Sequence, residues 1–415
     1  LDANGNTRRG QDVDYNGAPA GYTLNPSENI SYVSKHDNQT LWDNNAYKLA
    51  TGTSAADRAR MQTVSLSTVM LGQGIPFIHM GSELLRSKSM QRDSYDSGDW
   101  FNRVRFDGSD NNWNVGLPRE DKDSANWDLI KQIIADETAN PAATDIELTK
   151  EQFLDLLKIR SSSPLFRLAS ADEVKARVDF RNVGVEQVQG LIVMSIDDGT
   201  SAGADLDSNN DAIVVVLNAT NEEQTFAVDG ATGFELHEVQ QTSADSVVQG
   251  ASFADGKFTV PARTTAVFVQ PQGDAQGTGL PVDMSNKDLT TIPPFNETLY
   301  IRGTISSWNA PLDSAYAMTF VGDGVYEAII DVEPTEDSSD HQFKFANGNA
   351  DWSGPNFGCN WATQAEGSID LGTGDNCVLP VTEAGKYKFV LDASYVFTED
   401  DTDRAVLSVT KVDEA

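Results

Sequence analysis

The segment from residue 32 to residue 83 constrains the fold most, because it orders a strand, a helix and a second strand. Residues 32–36 are a strand-like run that leads into the polar triplet HDN, and residues 54–71 predict a helix that Ser54 caps. The apolar run "IPFIHMGSE" at 75–83 is typical of a buried parallel strand. Such a unit has parallel strands and a right-handed crossover. Polar groups then lie at the C-terminal tips of both strands, where α/β barrels place their chemistry.

The pattern changes near residue 170 from helices to short strands. Before this point we predict helices at 125–136 and at 150–161, the second beginning at Thr149 with Gln152 as its capping partner. A long irregular stretch at 84–124 precedes them, and such loops are usually functional. After it, apolar runs separated by Gly, Asp and Asn turns predict antiparallel strands. Five runs belong to the first group: 190–196, 212–218, 224–228, 257–260 and 265–269.

A second series of strands begins at residue 297, after a stretch poor in periodicity. The fold class we predict is therefore multidomain, α/β followed by all-β. Its four parts are an α/β domain at 1–168, an antiparallel β-sandwich at 169–270, a linker at 271–296 and a small β-sandwich module at 297–415.

The net charge of the chain limits the classes of partner that it can bind. Of 415 residues, 63 are acidic and 30 basic, so the net charge is −33. An anionic protein of this kind repels nucleic acid and anionic membranes, which we exclude as partners. The sequence has no apolar run long enough to span a membrane, and no signal peptide. Because it starts with Leu1 and not Met, we expect it to be a mature or truncated product.

Cys359 and Cys377 are the two cysteines of the sequence. We predict a disulfide between them, the alternative being two unpaired buried thiols. A disulfide forms in oxidising compartments, so it indicates an extracellular or cell-surface protein.

Metal sites have little support in the sequence. The segment "DLDSNND" sets Asp205, Asp207 and Asn209 at alternating positions, which suits Ca²⁺, but it lacks the glycine and distal glutamate of an EF-hand loop. An ordinary acidic turn is the favoured alternative. The four histidines have no ligand spacing, so zinc is not expected. Structural calcium remains the one possible cofactor, and none is required for chemistry.

Three segments carry a resemblance to a known family: "NGAPAGY" at 16–22, "YVSKHDNQTLWD" at 32–43 and "RSKSMQRDSYDSGDWFNRV" at 86–104. The second resembles the fourth signature region of the α-amylase superfamily, glycoside hydrolase family thirteen. Together they resemble pullulanase-type debranching enzymes, over roughly residues 1–270. The resemblance implies that the α/β domain is the C-terminal part of a (β/α)8 TIM barrel.

The resemblance also implies roles for individual residues. His36 would bind the sugar in the cleavage subsite, Asp37 would stabilise the transition state, and Asn38 lies in the same subsite. Taken without the resemblance, His36 would be a core histidine and Asp37 a capping residue. Asp93 matches a sugar-binding position. For its neighbours a surface or packing role is an equal alternative; these are Arg92, Tyr95, Asp99 and Trp100.

Two carboxylates that this chemistry needs are missing from the sequence. Retaining glycosidases use a nucleophile and a general acid, which family members carry on earlier barrel strands. Neither "FRFD" nor "GE.WD" occurs in the sequence. We therefore expect the C-terminal part of an enzyme that cleaves α-1,6 links in pullulan, starch, glycogen or limit dextrin, inactive by itself. The alternatives are a non-catalytic α-glucan-binding protein and an enzyme of the same superfamily that cuts α-1,4 links.

The module at 297–415 resembles starch-binding β-sandwich modules. The segments that carry this looser resemblance are "IRGTISSWNA" and "FKFANGNADWSGPNFG". Sugar faces stack on indole rings, so we expect Trp308, Trp352 and Trp361 to form a platform, with Asn356 binding hydroxyl groups. The alternative for each tryptophan is a place in the core.

Overall fold

The computed structural model describes residues 10, 13–16, 18–21, 23, 25–284, 293–295, 297–322, 324–335, 340–353, 356–359, 366–370, 375–393 and 406–412. The chain divides into two compact units. One comprises residues 25–283, and the other is formed by residues 1–24 together with 284–415.

The first unit contains the α-helices together with β-strands, and the described part of the second unit is built of β-strands. The helices are α1 (Leu41–Lys48), α2 (Ala55–Met70), α3 (Gly98–Asn102), α4 (Glu120–Asp123), α5 (Trp127–Ile134), α6 (Ala143–Ser162), α7 (Ala171–Arg177) and α8 (Glu238–Gln241). The strands are β1 (Asp14–Tyr15), β2 (Ala18–Pro19), β3 (Ile30–Ser31), β4 (Ile75–Pro76), β5 (Val178–Phe180), β6 (Leu191–Asp197), β7 (Asn210–Asn218), β8 (Gln224–Ala227), β9 (Glu235–Leu236), β10 (Ser252–Ala254), β11 (Lys257–Val260), β12 (Thr264–Pro271), β13 (Tyr300–Gly303), β14 (Thr319–Gly322), β15 (Val325–Val332), β16 (His341–Ala346), β17 (Asn356–Cys359), β18 (Glu366–Asp370), β19 (Cys377–Leu379), β20 (Gly385–Asp392) and β21 (Val406–Val412). In the part of the chain described, no helix is long and apolar enough to cross a membrane.

The predicted order of strand, helix and strand is present, with its strands parallel. The prediction of a buried strand in the run at 75–83 is wrong, because β4 covers only Ile75–Pro76 and Ile75 is 48% exposed. β3 pairs with β4 so that Ile30 lies opposite Ile75. The predicted strand at 32–36 is wrong, because β3 ends at Ser31. The last backbone hydrogen bond between β3 and the β4 segment joins the Phe77 N–H to the Ser31 carbonyl at 2.9 Å. The residues after Ser31 are therefore free to leave the sheet and form a loop.

The crossover contains two helices where one was predicted. In α2 the Ser54 hydroxyl accepts from the Asp57 N–H at 3.1 Å, which confirms the predicted cap. The preceding helix α1 is capped in the same way by Thr40, which accepts from the Asp43 N–H at 3.2 Å. This short, mostly polar helix has little apolar periodicity by which to predict it.

The helix α6 begins seven residues before its predicted start, so the prediction that Thr149 caps it is wrong. At its actual start, the Asp145 carboxylate accepts from the Ala142 N–H at 2.8 Å. Thr149 is buried inside the helix, and its hydroxyl donates to the Asp145 carbonyl at 2.9 Å. Gln152 donates to the Asp245 carboxylate at 2.8 Å, so it joins α6 to the loop after α8 and does not cap the helix.

Apart from β3 and β4, the strands of the first unit form two antiparallel sheets, in the orders β5-β6-β7-β12-β9 and β10-β11-β8. The strand β7 is buried on both faces. Ile213 and Val215 pack in one core with residues of α6, whereas Val214 and Val216 pack in another with Phe258 of the second sheet. Because successive side chains of β7 point to opposite faces, this strand contributes to both cores. It thus joins the helices and the two sheets into one compact unit.

The second unit is all-β where it is described. Its sheet order is β13-β16-β17-β18-β21-β20-β15-β14, with β19 pairing with β16, and β1 and β2 form a separate hairpin. In β15 burial alternates, as expected for a strand with one face on a core. The core holds Phe343, Phe345 and Phe389. The structure pairs Cys359 with Cys377, and both are buried in this core.

Candidate functional site

Two polar tips converge beyond the ends of β3 and β4. Past the paired residues, the Ser34 hydroxyl lies 3.4 Å from Nδ1 of His79. Parallel strands end at the same edge of a sheet, so residues that follow them in sequence become neighbours. The first tip carries the triplet at 36–38, and the second leads into the loop at 84–124.

The triplet is exposed. The side chain of His36 is 83% accessible and that of Asp37 is 59% accessible, and Nε2 of the first lies 3.5 Å from Oδ1 of the second. Lys35 donates to Oδ2 of Asp37 at 3.1 Å. Asn38 has a φ of 60°, in the left-handed region that asparagine tolerates. The histidine is thus not a core residue, and Thr40, not Asp37, caps α1.

The environment of Asp37 favours the charged form. The hydrogen bond from Lys35 and then the charge of His36 lower the pKa of its carboxyl group. The carboxylate is therefore ionised at neutral pH. Exposed and acceptor-only, it suits hydrogen bonds from sugar hydroxyls.

A buried lysine supports the triplet from behind. Lys88 is 1% exposed, and its Nζ donates to the His36 carbonyl at 3.0 Å. Its backbone N–H donates to Asp43 at 2.8 Å, and Asp43 also accepts from the Ser87 hydroxyl at 2.5 Å. Burial lowers the pKa of Lys88, while the charges of Asp43, Asp37 and Asp93 raise it. The charges of both predicted carboxylates, Asp37 and Asp93, therefore act on Lys88.

At the second tip a neutral histidine, His79, lies next to Arg86. Burial, and next the charge of Arg86, lower the pKa of His79 to about 4. Nε2 of His79 lies 3.2 Å from Nη1 of Arg86, which fixes Nε2 as the acceptor and leaves Nδ1–H to donate to Ser34. Arg86 also donates to the Asn102 carbonyl at 2.7 Å, and so joins the tip to α3.

The loop at 84–124 contains the other predicted residues. Asp93 pairs with Lys122 at 2.8 Å, and Lys122 also lies 5.7 Å from the centre of the Tyr95 ring. Tyr95 and Trp100 are 82% and 64% exposed, an unusual state for large aromatic residues. Arg92, whose side chain is half-exposed, pairs with buried Asp123 at 3.0 Å.

Three left-handed residues shape the first part of this loop. Leu85, Ser89 and Met90 have φ values of 56°, 51° and 66°, and all three are fully buried. Strain of this kind persists where surrounding contacts enforce it, and it gathers at functional sites. Between them lie Arg86 and Lys88, which sequence reasoning did not select. Their signal was the charged run that follows β4 in the sequence.

The calcium candidates lie outside the two tips, and their carboxylate oxygens accept hydrogen bonds from other residues of the chain. Asp207 accepts from the Asn209 N–H at 3.1 Å and from the Asn210 side chain at 2.9 Å. Asp205 accepts from Gln272 at 2.9 Å. These contacts describe a turn, and within the described residues no cluster of three or more His, Cys, Asp or Glu side chains is placed to hold a metal.

The second unit has a cleft of its own. It has a volume of about 370 Å³, and its lining residues are Trp308, Lys344, Trp352, Asn356 and Asn376. The ring centres of Trp308 and Trp352 lie 6.3 Å apart with their planes inclined at 38°. Three of the four predicted module residues therefore meet in one place. Trp361 lies outside the described residues.

Comparison with known proteins agrees with the resemblance found in the sequence. Residues 108–271 match the family model of the C-terminal domain of pullulanase-type alpha-1,6-glucosidases. Over about two thirds of its length the chain is similar to pullulanases. A pullulanase of Klebsiella pneumoniae is 49% identical over 284 residues, covering 68% of this chain and 26% of the relative. Pullulanase 1, chloroplastic, of Arabidopsis thaliana is 46% identical over 62% of this chain and 27% of the relative.

A solved structure agrees with these sequence matches. The maltotriose complex of PulA from Klebsiella pneumoniae has a TM-score of 0.64 and 51% identity, over 66% of this chain and 30% of that one. The chain thus spans about a quarter of the length of the curated relatives it matches.

Proposed function

We propose that this chain is the C-terminal part of a pullulanase-type glycoside hydrolase, which cleaves α-1,6 links in pullulan, starch, glycogen or limit dextrin with retention. The observation that carries the proposal is the geometry of Asp37. It is an ionised, exposed carboxylate at a strand tip, beside His36 and supported by buried Lys88, in a chain whose relatives are pullulanases.

The helical part of the first unit is, in this proposal, the C-terminal part of a (β/α)8 barrel. The parallel pair β3 and β4, crossed by helices, supports it. So does the exposure of apolar side chains on and beside these strands: Ile30, Tyr32, Ile75 and Phe77 are 57%, 52%, 48% and 53% exposed. Further strands would cover such a surface. The domain boundaries expected from the sequence, at 168, 270 and 296, belong to the same proposal.

Asp37 stabilises the transition state. Cleavage passes through an oxocarbenium-like state, in which the sugar 2-OH becomes a stronger hydrogen-bond donor. A fixed carboxylate gains more from that state than from the bound substrate, and only such a difference accelerates the reaction. His36 donates a further hydrogen bond, and Asn38 lies in the same subsite. The nucleophile and the general acid come from residues outside this chain.

The exposed residues of the loop bind the next sugar units. Asp93 accepts hydrogen bonds from hydroxyl groups while Lys122 holds it in place. Tyr95 and Trp100 offer uncovered ring faces, on which the apolar side of a sugar stacks. The bound polymer is neutral, so the acidic surface of the protein does not oppose binding. The reaction itself requires no metal, since carboxyl groups supply its acid, base and nucleophile.

The module at 297–415 binds α-glucan separately. The two indole rings that line the cleft are inclined at 38°, and a chain of α-linked glucose is curved, so successive sugar units can stack on the two rings. Asn356, Asn376 and Lys344 supply polar groups at the rim of the cleft. The disulfide supports export, so we place the protein outside the cell or on its surface.

A chimera tests the proposed activity. The corresponding C-terminal region of the Klebsiella pneumoniae pullulanase is replaced by this chain, and release of reducing sugar from pullulan is measured. We expect hydrolysis by the chimera and none by the 415-residue chain alone. A folded chimera without activity on pullulan, or hydrolysis by the chain alone, contradicts the proposal.

A further inference from the structure

Arg302 is a charged residue in an unexpected place. In β13 its neighbour Ile301 joins the core, as do Phe343 and Phe345 of the paired strand β16. Side chains alternate along a strand, so Arg302 lies on the outer face, opposite Lys344. Yet Arg302 is 0% exposed. Something on the outer face of the sheet must cover it.

The cover is Trp352. The centre of the guanidinium lies 3.5 Å from the centroid of the indole ring, which is stacking distance. Trp352 also lines the cleft that contains Trp308, so the cation lies beneath one of the two rings proposed to receive sugar.

The same guanidinium joins the two loops that carry these rings. One nitrogen donates to the carbonyls of Asn347 and Asn349, at 3.1 Å and 3.0 Å, in the loop that leads to Trp352. The second terminal nitrogen, Nη2, donates to the carbonyl of Trp308 at 2.6 Å. The planar fork of arginine makes these bonds in fixed directions, which lysine cannot reproduce.

The backbone of Trp352 needs this support. Its φ is 60°, in a region that a bulky residue rarely adopts. Such a conformation persists only where the surroundings over-determine it, and it is found often at ligand sites.

We propose that Arg302 is the positioning residue of the sugar site: through its stacking on Trp352 and its bonds to the Trp308 and Asn347–Asn349 carbonyls, it fixes the distance and tilt of the two indole rings. The proposal rests on the proposed glucan binding of the module. Arg302 itself is buried and does not contact the sugar.

The test uses the full 415-residue chain with maltoheptaose as the probe. Affinity is measured by calorimetry, and the arrangement of the tryptophans by near-ultraviolet circular dichroism without ligand. The variants are Arg302→Met and Arg302→Lys. The matched control is Val332→Ala, which removes buried volume from the core of the same module on β15.

We expect Arg302→Met to weaken binding at least tenfold and to change the circular dichroism as Trp352→Phe does. Arg302→Lys keeps the charge but not the fork, so its loss is smaller. Val332→Ala lowers the unfolding temperature without a change in affinity. If Arg302→Met does not fold, Arg302→Lys against Val332→Ala decides.

Two results overturn the proposal. One is a folded Arg302→Met chain with wild-type affinity and spectrum. The other is a loss of affinity in Val332→Ala as large as that in Arg302→Met, which would show a merely structural role. If the wild type does not bind maltoheptaose, glucan binding fails, and the spectra alone decide whether Arg302 sets the ring pair.

Discussion

Nζ of Lys88 donates to the backbone carbonyl oxygen of His36 at 3.0 Å, across 52 residues of sequence. A buried ammonium group thus fixes the backbone of an exposed histidine, whose neighbour Asp37 is the proposed transition-state stabiliser. The backbone of the triplet is therefore held from inside the unit, while the side chains of His36 and Asp37 are exposed to solvent.

Replacing Lys88 should loosen the triplet. The variant Lys88→Met removes the hydrogen bond to His36, and a lost buried bond to a charged group costs about 1–3 kcal/mol of the free energy of unfolding. We expect this loss in urea unfolding, together with faster amide hydrogen exchange at residues 36–38. Lys131→Met, at a half-exposed surface lysine, is the control. Unchanged exchange at the triplet would show that the bond does not hold it.

The stability of the first unit should depend on His79 below neutral pH. The folded-state pKa, about 4, lies below the ordinary value of 6.5, so the unfolded chain binds the proton more readily. Stability linked to this group is therefore complete above pH 6.5 and is lost as the pH falls towards 4. The loss reaches up to about 3 kcal/mol.

The variant His79→Gln isolates this effect, because glutamine keeps a donor and an acceptor but does not titrate. Urea unfolding at pH 7.5 and 4.5 should show a smaller decrease in the variant than in the wild type. Equal decreases would mean that His79 is not held neutral by the fold.

The module should bind α-glucan weakly. Shallow two-ring sites give a Kd of about 10 µM to 1 mM. We expect calorimetry with maltoheptaose to show binding in this range, and Trp308→Ala or Trp352→Ala to weaken it at least tenfold. Trp127→Phe, a tryptophan of the first unit, is the control. Wild-type affinity in both alanine variants would make the module a spacer. Trp361→Ala tests the remaining predicted ring in the same experiment.

The disulfide should stabilise the module chiefly through the unfolded chain. Cys359 and Cys377 are 18 residues apart, and closing a loop of that size is worth about 3 kcal/mol. The double variant Cys359→Ala, Cys377→Ala should lower the unfolding temperature of the module but not that of the first unit. An unaltered melting curve under both oxidising and reducing conditions would contradict this.

The sequence was sufficient for features that depend on nearby residues. The cap of α2 at Ser54 follows from local spacing, and the strands β6 and β7 follow from continuous apolar runs bounded by turns. The parallel pairing of β3 and β4 followed from element order alone. The resemblance selected the triplet at 36–38, whose exposure no periodicity would indicate.

The features that were missed depend on distant partners. Lysine and aspartate are usually found at the surface, but Lys88 and Asp43 are buried. The backbone N–H of Lys88 donates to the Asp43 carboxylate across 45 residues of sequence, a contact that no local pattern predicts. The start of α6 was misplaced because Thr149 and Gln152 match a capping pattern, whereas burial against the sheet region decides the helix. Arg302 was overlooked because an arginine on the outer face of a strand is ordinarily exposed.

The central claim is that Asp37 acts in the transition state and not in folding. The most direct measurement is kcat on pullulan for the chimera carrying Asp37→Asn, against Asp128→Asn at a fully exposed aspartate of α5. We expect Asp37→Asn to lower kcat by about 10²–10³, the effect of removing a preorganised electrostatic group, with an unaltered unfolding temperature. Asp128→Asn should leave both unchanged. Full activity in Asp37→Asn, or a loss that merely follows a lowered unfolding temperature, would contradict the account.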